Sequence, residues 1–210
     1  MKNKVQFLAL GKQPITNNFL TKKNPKNEFF YNLNLIFYNS TKLVSLSKFI
    51  PPKKMFNKKY AHRASASITM RKAYKILAQK IKNKFNPKSI LEIGSNDGVF
   101  LKHFSKANNI GVEPCKNLAD ITNKMKIKTY DNFWTLKLSN KIKRKHGKFD
   151  VIYSANTVSH IHNLNETFEA IENILSHKGI FILEDPSLLK SLQKISYDQF
   201  YDEHAYVFSI

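Results

Sequence analysis

Residues 90–98 read Ile-Leu-Glu-Ile-Gly-Ser-Asn-Asp-Gly, an apolar run that ends in a turn flanked by Gly94 and Gly98. The run predicts a buried strand over 89–93, and the apolar spacing after the turn predicts a helix over 97–106. Glu113, fifteen residues beyond Gly98, ends a second short strand in Gly111-Val112-Glu113-Pro114. A glycine turn after one strand and an acid at the end of the next form the pair that holds a nucleoside in a doubly wound α/β sheet.

The turn has the form E-x-G-x-N-x-G, whereas a dinucleotide site would read G-x-G-x-x-G. This difference disfavours a dehydrogenase and points to S-adenosylmethionine. Gly94 and Gly98 let the backbone approach the methionine part of such a cofactor. Glu92, Asn96 and Asp97 offer polar contacts to its ammonium and carboxylate, and Glu113 accepts from both ribose hydroxyls. The bland alternative is a strand-to-helix turn that happens to be rich in glycine. Asn156, in Ser154-Ala155-Asn156-Thr157-Val158-Ser159-His160-Ile161, leaves the fourth strand beside the expected sulfonium. The Asn/Asp-Pro-Pro-aromatic motif of amine methyltransferases is absent from that point. His160 and His162 read equally well as catalytic groups or as histidines that merely begin a helix.

Outward from this centre, the alternation continues as strand 110–113, helix 116–125, a weaker strand near 127–130, strand 150–154, helix 165–176, a turn at His177-Lys178-Gly179 and strand 179–184. Five parallel strands with crossover helices are implied, with the cofactor at their carboxyl ends. Upstream, Met70, Ala73, Tyr74, Leu77, Ala78 and Ile81 recur at helical spacing over 67–85, predicting a lead-in helix against the sheet. Residues 1–60 lack that period. They carry turn signals at Gly11, Pro14, Asn24-Pro25 and Pro51-Pro52 and an alternating stretch at Leu33, Leu35 and Phe37, the pattern of a small β-rich appendage. The domain reading is therefore an appendage over 1–60, a lead-in helix over 61–86 and a cofactor domain over 87–210.

With 35 Lys+Arg against 15 Asp+Glu the formal charge is +20, but the lysines are dispersed among asparagine, isoleucine and phenylalanine rather than gathered into a stripe. A nucleic-acid partner is disfavoured. No apolar run approaches the roughly 20 residues of a membrane span, and the first residues do not form a signal peptide, so the expectation is a cytoplasmic protein. Cys115 is the single cysteine, which excludes an internal disulfide and a cysteine metal site and argues against a nucleophile. Residues 197–210 crowd tyrosines, acids and a histidine beyond the fifth strand. Such a crowd can supply a general base. Composition alone favours an amphipathic segment with Asp202, Glu203 and His204 in solvent.

Taken in order, these residues resemble the sugar C-methyltransferases that act on nucleotide-linked deoxyhexoses, along essentially the whole chain. Asp198, Tyr201, Glu203, His204, Tyr206, Phe208 and Ser209 match the family's segment F-D-x-I-Y-H-E-H-F-S-Y-F-S. Leu10-Gly11-Lys12-Gln13-Pro14 with Asn17 and Phe19 looks like its L-G-x-Q-P-x-x-N-x-F opening. The resemblance implies a class I S-adenosylmethionine-dependent methyltransferase with a Rossmann-like, mainly parallel sheet. It also implies a nucleotide-linked sugar as substrate and methylation of the carbon next to a keto group. His204 is then the favoured base, Glu203 orients or assists it, and Tyr201 hydrogen-bonds the developing oxyanion.

The chain departs from the family at three points. The family's N-terminal domain holds zinc through four cysteines, and the corresponding positions here include Tyr38 and Thr41 ahead of Leu43-Val44, so no metal is expected and packing of Leu33, Phe37 and Leu46 is one alternative to disorder. Asp202 stands where the family has histidine. Family members continue for about as long again, so the sheet is expected to be incomplete at its C-terminal edge and a partner chain could supply the remainder. A non-catalytic cofactor-binding module, half of a two-chain enzyme, and a methyltransferase for nucleic acid or another small molecule stay open beside the sugar reading.

Overall fold

The computed structural model describes residues 3–20, 28–104 and 107–209. The turn expected at Asn24-Pro25 lies outside the described residues. The chain divides into two units, one formed by residues 1–56, 159–162 and 185–210, the other by 57–158 and 163–184.

In the first unit β1 (Lys4–Pro14) pairs antiparallel with β2 (Phe30–Tyr38), which pairs antiparallel with β3 (Val44–Leu46). The two-residue strand β9 (Tyr206–Val207) completes the order β1-β2-β3-β9. Of the predicted alternation, Leu33 and Leu35 are buried and Phe37 is half-buried; Tyr31 extends the buried face, which packs with Val44, Leu46, Ile50, Met55 and Phe200. The Tyr38–Thr41 segment makes a hairpin turn, with the Lys42 amide donating to the Tyr38 carbonyl and the Tyr38 amide to Leu43. Apolar packing and a closed hairpin therefore stand where the resemblance implies a zinc knuckle. Two short helices, α1 (Pro52–Met55) and α6 (Leu188–Gln193), flank this sheet in sequence.

The second unit opens with α2 (Ile68–Phe85). Ser67 accepts from the Met70 amide as its N-cap, and Asn86 ends it in a left-handed conformation. Tyr74, Ala78 and Ile81 are the face it buries, against Ile90, Val99, Phe100, Val151 and Tyr153. Five parallel strands follow: β4 (Ser89–Ile93), β5 (Asn108–Val112), β6 (Lys128–Tyr130), β7 (Phe149–Ala155) and β8 (Leu175–Glu184). Their order is β6-β5-β4-β7-β8, so the chain reverses direction between β4 and β7, with β8 at one edge. Ile90, Leu91, Glu92 and Ile93 are all buried, as a central parallel strand covered on both faces requires. Helices α3 (Lys116–Lys124), α4 (Leu136–His146) and α5 (Leu164–Ile174) provide crossovers. The sheet is that of the class I S-adenosylmethionine-dependent methyltransferase fold.

Three local expectations change. No α-helix fills 97–104: a single 3-10 turn, Leu101–His103, stands there instead. Asn109 donates to the Leu101 and Phe104 carbonyls, and Phe104 leaves helical geometry, which ends the turn. The turn at 177–179 is a bulge within β8, because Leu175 pairs with Phe149 and Ile180 with Val151. Helix α4, which the lysine-rich sequence hid, is capped by Thr135 and buries Leu138 and Ile142. Among the described residues no helix is long and apolar enough to cross a membrane.

Candidate functional site

In the second unit the carboxyl ends of β4, β5 and β7 bring the predicted cofactor residues to the turns that follow them. Gly94 adopts φ +75°, where a side chain strains the backbone, and a Cβ there would lie 2.0 Å from Thr157 Oγ1. Gly98 also has φ +75°; its bare face admits Thr122 and Met125. The turn is thus closed on one side by the loop after β7 and on the other by α3.

Glu113 accepts from the Asn96 amide at 2.9 Å through Oε2 and from the Cys115 amide at 2.8 Å through Oε1. Burial pushes its carboxyl up, and those two hydrogen bonds hold it back. Each oxygen keeps lone-pair capacity for a diol. Glu92 is buried, and its Oε2 has no hydrogen-bond partner among the described residues. Burial first, then the charges of Glu113 and Asp97, raise its carboxyl well above the usual range. An orphaned buried carboxyl beside a glycine turn suits an ammonium donor, so the residues present fit a cofactor that carries an ammonium and a ribose.

Asn96 and Asp97 have protein partners. Asn96 Oδ1 accepts from the Ala64 amide at 2.9 Å, and its Nδ2 donates to the His62 carbonyl. Asp97 Oδ2 accepts from Ser65 Oγ at 2.5 Å. The lead-in segment 62–65 is thereby tied to the turn, a role that the spacing of Asn96 and Asp97 did not announce. Asn156 sits at φ 48° with an exposed side chain, its amide bonded to the Glu184 carbonyl.

His204, Glu203 and Tyr201 come together in the first unit. Composition favours a solvated face there, yet Asp202, Glu203 and His204 are 1 %, 2 % and 3 % exposed. The reason is long-range: Asp202 Oδ1 accepts from the Thr16 amide at 3.2 Å and hydroxyl at 2.5 Å, and Glu203 Oε1 accepts from Asn17 Nδ2 at 2.6 Å. Asp202, the departure from the family pattern, thus acts as an acceptor for the turn after β1.

His204 Nδ1 lies 2.6 Å from the Gln199 carbonyl. A carbonyl only accepts, so Nδ1 carries the proton and the Nε2 lone pair is left as the basic site. Burial lowers the His204 pKa, partly offset by that hydrogen bond, which keeps the ring neutral around pH 7. The Tyr201 ring is tilted over His204 at 4.3 Å between centroids. Burial, then the charges of Glu203, Asp202 and Asp185, raise the Tyr201 phenol, so it remains a donor. His160, left undecided between two readings by sequence, stacks on His204 at 5.1 Å, and its Nε2 is buried with no partner among the described residues. Burial, then the His204 charge, pushes it well below the usual histidine range. Ser159, next to His160, donates to Asp185, just after β8, at 2.7 Å.

Residues 1–56 match a family model described as "Putative zinc binding domain". They do not fit zinc, since they contain no cysteine, no histidine and only one carboxylate, Glu28. A curated relative, the C-methyltransferase NovU of Streptomyces niveus, is 26% identical over 212 residues, covering 98% of this chain and 50% of its own length. The chain therefore spans about half of that relative. Among solved structures, the plantazolicin methyltransferase BpumL in complex with a pentazolic desmethylPZN analog and SAH matches with TM-score 0.50 and 18% identity, over 67% of this chain and 59% of its own, a likeness of fold. Streptomyces venezuelae DesVI matches with TM-score 0.45 and 15% identity over 58% of this chain and 52% of its own, too low to bear on the site. A family model described as "Methyltransferase domain" covers residues 60–210, which include the glycine turn, Glu113 and the five parallel strands, and the chain belongs to that family.

Proposed function

We propose that this chain is an S-adenosylmethionine-dependent C-methyltransferase acting on carbon next to a keto group of a nucleotide-linked deoxysugar. The cofactor is assigned to the turn of the second unit, with Glu113 on the ribose, Glu92 toward the ammonium, and Gly94, Asn96, Asp97, Gly98 and Asn156 shaping the remainder. When bound it supplies a methyl group made electrophilic by sulfonium. The observation that carries the reading is the buried His204, oriented through Nδ1 and neutral, beside Glu203 and the phenol of Tyr201.

His204 Nε2 takes the proton from the carbon next to the keto group, and the electron pair of that C–H bond becomes the enolate. A cofactor held by Glu92, Gly94, Gly98 and Glu113 would supply the methyl group for that carbon. Tyr201 donates to the enolate oxygen, and Glu203 assists by stabilising the imidazolium that forms. His160, next in the stack, is a second candidate base.

A second reading keeps the cofactor and drops the chemistry: a non-catalytic module, or one half of a two-chain enzyme whose partner supplies the rest. The +20 charge leaves an acidic acceptor such as nucleic acid as a third. Calorimetric titration with S-adenosylhomocysteine, alongside Gly94→Arg and Glu113→Ala, tests the cofactor assignment. Methyl transfer to a nucleotide-linked keto-deoxysugar tests the rest; binding without transfer would favour the module.

A further inference from the structure

The turn after β1 holds two consecutive carboxylates from the far end of the chain. Thr16 donates twice to Asp202, and Asn17 Nδ2 donates to Glu203 Oε1 at 2.6 Å, across 186 residues of sequence. An ionised carboxylate only accepts, so the amide must present nitrogen to it, and the short distance is that of a charge-assisted bond. Glu203 is 2 % exposed, and at that depth its charge persists only where donors compensate for lost water. The charges of Glu203, Asp202 and Asp185 act together on the Tyr201 phenol, whose ring is tilted over His204, with His160 stacked behind His204.

From this geometry we infer that Asn17 is a positioning residue: it keeps Glu203 ionised and aimed in one direction, and so makes the turn after β1 part of the proton-transfer apparatus. The inference rests on the reading of Glu203 given above, in that an ionised Glu203 is the form that can support an imidazolium. A donor to the charged form lowers a carboxyl pKa, and removing it raises the midpoint. Asn17→Leu removes the donor at similar volume. Asn17→Asp instead sets two carboxylates at contact distance, where one proton must be shared and the midpoint rises further. Thr16→Val weakens only the neighbouring grip on Asp202.

The test is a 13C-carboxyl NMR titration of the whole chain labelled at glutamate, with the Glu203 resonance assigned by its loss in Glu203→Gln. The Glu203 midpoint should rise by about one pH unit in Asn17→Leu, by more in Asn17→Asp, and by much less in Thr16→Val. An unchanged midpoint in a folded Asn17→Leu chain overturns the inference, and an equal rise in Thr16→Val overturns it too, because the effect would then be loosening of the loop. If Asn17→Leu does not fold, the near-isosteric Asn17→Asp decides alone, an unshifted midpoint being the negative result. Turnover separates the two levels: Glu203→Gln with unchanged turnover removes Glu203 from the chemistry while leaving the Asn17 result standing.

Discussion

His204 shows how one hydrogen bond selects a chemistry. With Nδ1 committed to the Gln199 carbonyl, only Nε2 can act as base, and burial keeps it unprotonated to below the ordinary histidine pKa. Methyl transfer should therefore rise with pH through a midpoint below about 6.5. His204→Ala should lower turnover by about 10²- to 10⁴-fold with little change in S-adenosylhomocysteine affinity by calorimetry, and an unchanged rate would exclude His204 as the base. Gly94 makes a sharper stability prediction. An alanine there would meet Thr157 and strain a backbone at φ +75°, so Gly94→Ala should cost about 1–3 kcal/mol in denaturant unfolding. Gly11 and Gly147 share the positive φ but face open space, and alanine at either should cost less.

At the scale of elements, legibility followed the range of the forces involved. Strands β4, β5 and β7 and helix α2 could be read because apolar period, cap and turn lie within one window. Ser67 is such a cap, and Ser67→Ala should cost about 1 kcal/mol, a loss of a few degrees in the thermal midpoint. Helix α4 escaped because lysines cover it and its buried stripe is thin, although Thr135, Leu138, Ile142 and the Gly147 stop were signals of its presence. The helix expected after Gly98 failed for the opposite reason: its apolar residues are buried, but Asn109, from the next strand, holds the carbonyls at which the turn stops. The burial of Asp202 and Glu203 was beyond any local window, since the groups that compensate it, Thr16 and Asn17, come from the other end of the sequence.

Across the whole molecule, charge and burial set the response to solution conditions. His160 and His204 have folded-state pKa values below the unfolded value of about 6.5, so the stability they permit is present above that pH and is lost as pH falls toward the lowered midpoints. Glu92, Glu113 and Asp202 are raised and act in the opposite sense, their contribution being lost as pH rises through the raised midpoints. A variant comparison isolates the histidine share. His160→Phe can keep the stack on Phe56, and its urea midpoint should drop less than that of the native chain between about pH 7.5 and about pH 5.5. The +20 charge should give binding to RNA or DNA that falls steeply with salt and ignores sequence; saturable, sequence-selective binding would revive the nucleic-acid reading.

The pairing of β3 with β9 has a consequence during synthesis. Val44 meets Val207 only after the parallel sheet, whose fifth strand ends at Glu184, has all its strands. At roughly 5–20 residues per second, β3 is made on the order of ten to thirty seconds before its partner, so its outer edge lacks that pairing for the interval.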